Sequence, residues 1–284
     1  MRELIFLKLG GSLITDKTLP YTPRLDKLSD LAAQISDALS TRQLSLVLGH
    51  GSGSFGHTAA KEHKTREGAP LRLPPFSTKM GGDVRRTEGG GGYWRGFAEV
   101  WYQASALNRF VMESLYAAGV PSLALAPVSA VTASNGKVSK WNLTPLKAAL
   151  AAGLVPVIYG DVIFDTVRGG TILSTEDLFE HLARDLRPQR ILLAGLEGAV
   201  WADFPERRLR VKKITPASFA GVKAGVGASH GADVTGGMES KVRQMLALVT
   251  EIPGLTVQIF SGEPPGNIQK ALSGEILGTE ICNT

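Results

Sequence analysis

Short, nearly continuous apolar runs and amphipathic segments alternate along this chain from end to end. Leu4 to Leu9 and Leu44 to Leu48 have strand length, and between them apolar residues recur at Leu25, Leu28, Ala32, Ile35 and Leu39. Spacings of three and four put one apolar face on a helix, whereas a short run without polar alternation suits a strand covered on both sides. Thr22-Pro23 supplies an N-cap and a first-turn proline for the helix. The order strand, helix, strand predicts a parallel sheet.

Later segments continue the alternation. The pattern predicts a helix over Tyr93 to Ala118, a strand over Ser122 to Ala126, a short helix after Thr144-Pro145 and a strand over Leu154 to Tyr159. Ser174-Thr175-Glu176-Asp177 has the spacing of a capping box for a helix reaching Leu186. A strand over Arg190 to Ala194, a helix from Met238 with Val242, Met245, Leu246 and Val249 on one face, and a strand over Thr256 to Phe260 complete the series. Alternating residues around Asn135-Gly136 and Gly169-Gly170 predict hairpins over Val131 to Lys140 and Val162 to Leu173. There is no internal repeat. Lys79 to Gly92, with four glycines at its end, has no apolar periodicity and reads as a loop; a lid over a substrate would have the same sequence character.

The chain has 284 residues, of which 43% are hydrophobic and 20% charged, as expected for a globular α/β unit with one core or two closely packed lobes. Its formal charge of +5 comes from dispersed Lys and Arg residues. Without a basic block or basic and aromatic interleaving, that surplus points to small anions rather than nucleic acid. The single cysteine, Cys282, excludes a disulfide framework and a cysteine metal site and fits a reducing compartment. The longest apolar stretch, Ala148 to Tyr159, is interrupted by Gly153 and Pro156, so neither a membrane span nor a signal peptide is expected, and the location expected is cytoplasmic.

Candidate chemistry lies in glycine-rich turns at strand ends. Lys8-Leu9-Gly10-Gly11-Ser12, followed by Lys17, and His50-Gly51-Ser52-Gly53-Ser54-Phe55-Gly56-His57 each close an apolar run. Glycines let backbone N–H groups approach an anion, and an adjacent lysine or histidine adds charge, so both turns read as phosphate cradles. Gly51-x-Gly53-x-x-Gly56 matches a dinucleotide fingerprint, but no second strand with an acidic end follows at the required distance. As a P-loop the same turn has His57 in the lysine position. A third turn, Val234-Thr235-Gly236-Gly237-Met238-Glu239-Ser240-Lys241, opens a helix and places a lysine in its first turns. Tyr159-Gly160-Asp161 ends another strand with a carboxylate able to position lysines.

These segments together, Lys8 to Lys17, His50 to His57, Tyr159 to Val162 and Asp233 to Met238, resemble the amino acid kinase family and, within it, the isopentenyl phosphate kinases. The resemblance spans most of the chain in the family order. It implies a three-layer αβα sandwich with a mainly parallel central sheet, an acceptor lobe over 1–160, an ATP lobe over 161–284 and a homodimer. ATP with Mg²⁺ is the implied phosphoryl donor, and an isoprenoid monophosphate the acceptor. On this resemblance Lys8, Gly10, Gly11, Ser12, Ser52, Gly236, Gly237 and Lys241 are expected at ATP. Gly51, Ser52, Gly53, Gly56, His57 and Gly160 are expected at the acceptor phosphate, with Trp94 and Phe97 along its apolar tail. Lys8, Lys17 and Lys241 would neutralise the transferring phosphate, Asp161 would orient the lysines, and His57 would donate to the acceptor; His50 is expected to be structural. Fosfomycin or another small-acid kinase of the same fold is the alternative enzyme, and a nucleotide-binding regulator without turnover the alternative class. The chain departs from the family pattern at Gly195-Leu196-Glu197-Gly198, where an Asp-x-Asp/Glu-Gly turn is usual.

Overall fold

A computed structural model describes residues 2–56, 65, 68, 91–222 and 237–284. In chain order they form β1 (Glu3–Leu9), α1 (Gly11–Ile14), α2 (Leu25–Thr41), β2 (Leu44–His50), α3 (Gly91–Ala117), β3 (Ser122–Ala124), β4 (Val131–Ser134), β5 (Lys137–Trp141), α4 (Thr144–Ala151), β6 (Val155–Tyr159), β7 (Asp161–Asp165) and β8 (Gly169–Leu173). There follow α5 (Thr175–Leu186), β9 (Arg190–Gly195), β10 (Val200–Trp201), β11 (Arg210–Val211), β12 (Lys213–Ile214), α6 (Phe219–Val222), α7 (Gly237–Glu251), β13 (Thr256–Ser261), α8 (Asn267–Leu272) and β14 (Thr279–Ile281).

The main sheet has the order β12-β14-β13-β9-β1-β2-β6-β3, and every pairing is parallel except β13 with β14. Side chains on β1 alternate between two cores. Ile5, Leu7 and Leu9 pack with Leu28, Leu31 and Ile35 of α2, Leu107 and Val111 of α3, and Ile268 of α8. Phe6 turns the other way, onto Leu178, Phe179 and Leu182 of α5 and Val242 and Met245 of α7. Helices therefore cover both faces, and the fold is the expected αβα sandwich. A four-stranded sheet, β5-β4-β7-β8, contains both predicted hairpins and contributes Val131, Ala133, Ile163 and Leu173 to the second core.

Two local expectations are corrected. The first long helix begins at Leu25, not at Thr22-Pro23, and Leu25 is exposed while Leu31 and Ala38 join its buried face. Pro23 instead pairs with Thr15 in an antiparallel bridge, with Asp16 N–H donating to Thr22 O and Arg24 N–H to Ile14 O. The fixed φ of proline serves extended backbone as well as a helix start. Second, Gly91 and Gly92 are the opening residues of α3, so the glycine run does not end as loop. The remainder of the proposed lid, 79–90, lies outside the described residues.

β1 sits where the order of strands reverses: the chain proceeds from β1 to β2 on one side, and from β9 to β13 on the other. The crevice at the carboxyl ends of strands around such a point is where open α/β sheets bind ligands.

Candidate active site

Four strand ends converge at that crevice. Beyond β1, Gly10 N–H donates to Ala194 O at the end of β9 (2.7 Å); beyond β2, Gly51 N–H donates to Leu9 O (3.0 Å); beyond β6, Gly160 N–H donates to His50 O (3.2 Å). The two glycine turns touch backbone to backbone. A Cβ on Gly51 would lie 2.8 Å from Gly11 N, and one on Gly53, whose φ is +51°, would lie 2.2 Å from Thr15 Oγ1. Thr15, buried, stitches the turns together by donating to Gly11 O (2.8 Å) and accepting from Ser54 N–H (3.0 Å).

Across the sheet, Lys8 is the β1 register partner of Gly49 on β2. A Cβ at Gly49 would stand 2.5 Å from Thr175 Cγ2 and 2.8 Å from Phe179 Cζ, so this glycine lets the start of α5 lie close on the sheet. Thr175 Oγ1 then donates to His50 O (2.6 Å), and the predicted capping box forms: Asp177 N–H donates to Ser174 Oγ (3.1 Å) while Ser174 N–H donates to Asp177 Oδ2 (2.8 Å). Glu176 is thereby fixed beside Lys8.

The Lys8 ammonium pairs with Glu176 Oε2, and Lys241, from the first turns of α7, stands 3.6 Å from Glu176 Oε1. One carboxylate thus serves two ammonium groups. Burial opposes the charge on Glu176, but Lys8 and Lys241 outweigh it and hold its pKa down at about 2. Burial, with the repulsion of Lys241, pushes the Lys8 pKa down against the pull of Glu176. With both lysines protonated, Lys8, Lys241 and Glu176 sum to one positive charge, which favours an anion beside them.

Glu176 was visible in the sequence only as a member of a capping box. Its signal is that a carboxylate follows β8 in the first turn of a helix, at the strand ends where Lys8 also lies. Asp161, the residue expected to orient the lysines, has other partners: its carboxylate accepts from Val162 N–H (2.8 Å) and Val128 N–H (3.3 Å), and burial raises its pKa to about 7. A fully buried residue at the β6–β7 turn, it ties that turn to the 127–129 turn. The carboxylate that stands against Lys8 and Lys241 in this structure is that of Glu176.

His50 is the structural histidine that was expected. It is buried, stacks on Tyr159 (5.3 Å between centroids), and its Nε2 and Nδ1 meet Asn108 Oδ1 and Gly51 O, each at 3.1 Å; burial pushes its pKa down against these two contacts. Trp94 and Phe97 of α3 pack around Phe164 of β7, with centroids at 6.1 and 5.1 Å. Phe97 also belongs to a small core with Val162 and Val128, the two residues whose amides Asp161 holds. Ser12 and Ser52 are half-buried in their turns, Gly56 N–H donates to Ser52 O (3.2 Å), and Gly237 opens α7. Lys17 is exposed in the turn before Pro23. His57 and Gly236 lie outside the described residues.

The amino acid kinase family model matches residues 3–261, nearly the whole of this arrangement. The chain belongs to the amino acid kinase family. Within that family, it is 32% identical over 283 residues to the isopentenyl phosphate kinase of Methanothermobacter thermautotrophicus and 30% identical over 285 residues to that of Methanocaldococcus jannaschii, covering 98% of both partners in each case. A solved isopentenyl phosphate kinase structure superposes with a TM-score of 0.79 at 27% identity, covering 98% of this chain and 99% of the other. Family membership accounts for the αβα sandwich.

Proposed function

We infer that this chain is an isopentenyl phosphate kinase, transferring the γ-phosphoryl group of ATP to isopentenyl phosphate. Full-length similarity to isopentenyl phosphate kinases supports the activity. The observation that carries the chemistry is the sharing of Glu176 between Lys8 and Lys241 at the strand ends.

Phosphoryl transfer between two phosphates brings multiply charged anions together, and unit charges ~4 Å apart repel by about 4 kcal/mol at an effective dielectric near 20. Lys8 and Lys241 supply cations for the β- and γ-phosphates, and Glu176 keeps both ammonium groups aimed at one place before the nucleotide arrives. Lys17 joins them at the transferring group. The acceptor phosphate is already an anionic nucleophile, so positioning and neutralisation, not general base catalysis, are the work of the protein. His57 donates to that phosphate, and the aromatic group around Trp94 and Phe97 receives the apolar tail. Residues 1–160 supply the acceptor lobe and 161–284 the ATP lobe, which meet where Lys8 and Lys241 share Glu176.

Among the described residues no group of three or more His, Cys, Asp or Glu side chains could hold a metal ion, and Glu176 is committed to lysines. Mg²⁺ enters on the phosphates of ATP, where it adds neutralising charge. The family resemblance supports a homodimer, and the exposed Trp101, Tyr102 and Tyr116 of α3 offer apolar surface for one. No helix among the described residues is long and apolar enough to cross a membrane.

The deciding experiment is ADP release from Mg²⁺-ATP with isopentenyl phosphate, dimethylallyl phosphate, fosfomycin, N-acetylglutamate and UMP as separate acceptors. Turnover is expected with the isoprenoid phosphates. A preference for fosfomycin would replace the acceptor, and ATP binding without turnover on any acceptor would replace the enzyme with a regulator.

A further inference from the structure

The seam between α5 and α7 contains a side chain placed to set the position of Lys241. Gln244 lies one turn beyond Lys241 on α7, and its Nε2 donates both hydrogens to α5: to Asp177 Oδ1 at 3.1 Å and to Glu180 Oε2 at 2.6 Å. Asp177 follows Glu176 directly, and its other oxygen is fixed by Ser174 in the capping box. Glu180 is in turn held by Arg184, which also binds Glu251 at the far end of α7. Gln244 is thus the link of this network nearest the lysine cluster.

Resting on the reading of Lys241 as a ligand of the transferring phosphate, we propose that Gln244 is a positioning residue that fixes the register of α7 on α5 and so sets the Lys241–Glu176 approach. Helical residues rise 1.5 Å each, so a slip of α7 by one residue would undo a 3.6 Å contact. Both carboxylates keep other partners when Gln244 is lost, and the residue is only half-buried, so its removal leaves the core intact. Position, not folding, is what it contributes.

The test compares Gln244→Leu, Gln244→Lys, Lys241→Ala and the double variant Lys241→Ala/Gln244→Leu, with urea midpoints recorded for each. Gln244→Leu is expected to lower kcat about tenfold with KM for both substrates unchanged, since a misplacement of ~1 Å at a reacting centre costs up to about a hundredfold. Gln244→Lys, which can pair with the same two carboxylates, should restore most of the rate. In the Lys241→Ala background, followed at high enzyme concentration, Gln244→Leu should cause no further loss, because the two substitutions act through one group. Wild-type kcat in Gln244→Leu, or a loss that multiplies fully with that of Lys241→Ala, would overturn the proposal while leaving the lysine site standing. Full activity of Lys241→Ala would remove the site reading, and Gln244 with it.

Discussion

Gly11 and Gly53 approach so closely that a Cβ on Gly11 would stand 2.3 Å from the backbone nitrogen of Gly53 and 2.6 Å from its Cα. The atoms in the way are backbone, held by Thr15 and the ends of two core strands, so they cannot yield cheaply. Glycine here is required by the mutual packing of two turns before any ligand is considered. Gly11→Ala is expected to destabilise the fold by about 1–3 kcal/mol, the usual cost of overpacking, and to displace both glycine turns. Gly221→Ala, where nothing stands within 4 Å of the added carbon, should leave stability nearly unchanged. Urea midpoints and kcat for the pair check this; a Gly11→Ala enzyme as stable and active as the parent would show that the turns have room.

Replacing Glu176 by Gln leaves Lys8 and Lys241 without their shared counterion. Removing one partner of a buried pair typically costs about 3–5 kcal/mol, though the lysines can lessen it by losing a proton. The variant should be less stable, with kcat lowered about a hundredfold or more, the scale for losing one preorganised electrostatic group. KM for ATP should change little, because a site with more positive charge still attracts an anion. Steady-state kinetics with Mg²⁺-ATP check the split, and an unchanged kcat would mean that the carboxylate does not aim the lysines.

The sandwich was legible because β1, β2 and β9 are apolar on both faces and the intervening helices carry a single apolar stripe. Lys8 and the glycine turns were equally readable, since glycine and lysine at a strand end have few structural uses in common. Glu176 was hidden for a different reason. Its importance depends on Gly49, a strand residue in a distant segment whose missing side chain lets α5 settle beside Lys8. Asp161 misled for the converse reason: a carboxylate ending a strand looks available, but two backbone amides claim it. Local spacing reveals what a residue can do, while partner choice depends on register between strands far apart in sequence.

Under the proposed function, His57 acts on the acceptor rather than the nucleotide. His57→Ala should reduce kcat/KM for isopentenyl phosphate by about a hundredfold, in the range for a charge-assisted hydrogen bond to a phosphate left unmade. KM for ATP should stay within about twofold, because an acceptor contact does not bind the donor. Initial rates with each substrate varied in turn separate the two constants. Normal efficiency towards the phosphorylated acceptor would remove His57 from the site.

Asp161 makes a prediction about pH whose sign follows from burial. Its pKa is raised from 3.8 to about 7, so between those values the folded protein keeps a proton that the unfolded chain has released. The folded state then binds more protons than the unfolded state, and the contribution of Asp161 to stability falls as pH rises from about 4 to about 7. Asp161→Asn cannot ionise and should not show that fall. It loses one amide contact at Val128 or Val162, but this offset is the same at every pH. Between pH 5 and 8 the variant should therefore gain on the parent by roughly 2–3 kcal/mol, about 1.4 kcal/mol for each unit of pKa displacement spanned. Glu176 does not confuse the comparison: its lowered pKa contributes stability above about 4.5 that is lost only as pH falls towards 2, and it is present in both proteins. Urea unfolding of the two proteins at several values across this window measures the difference. Parallel curves would mean that Asp161 is ionised throughout, with its two amide hydrogen bonds sufficient to offset the cost of burial.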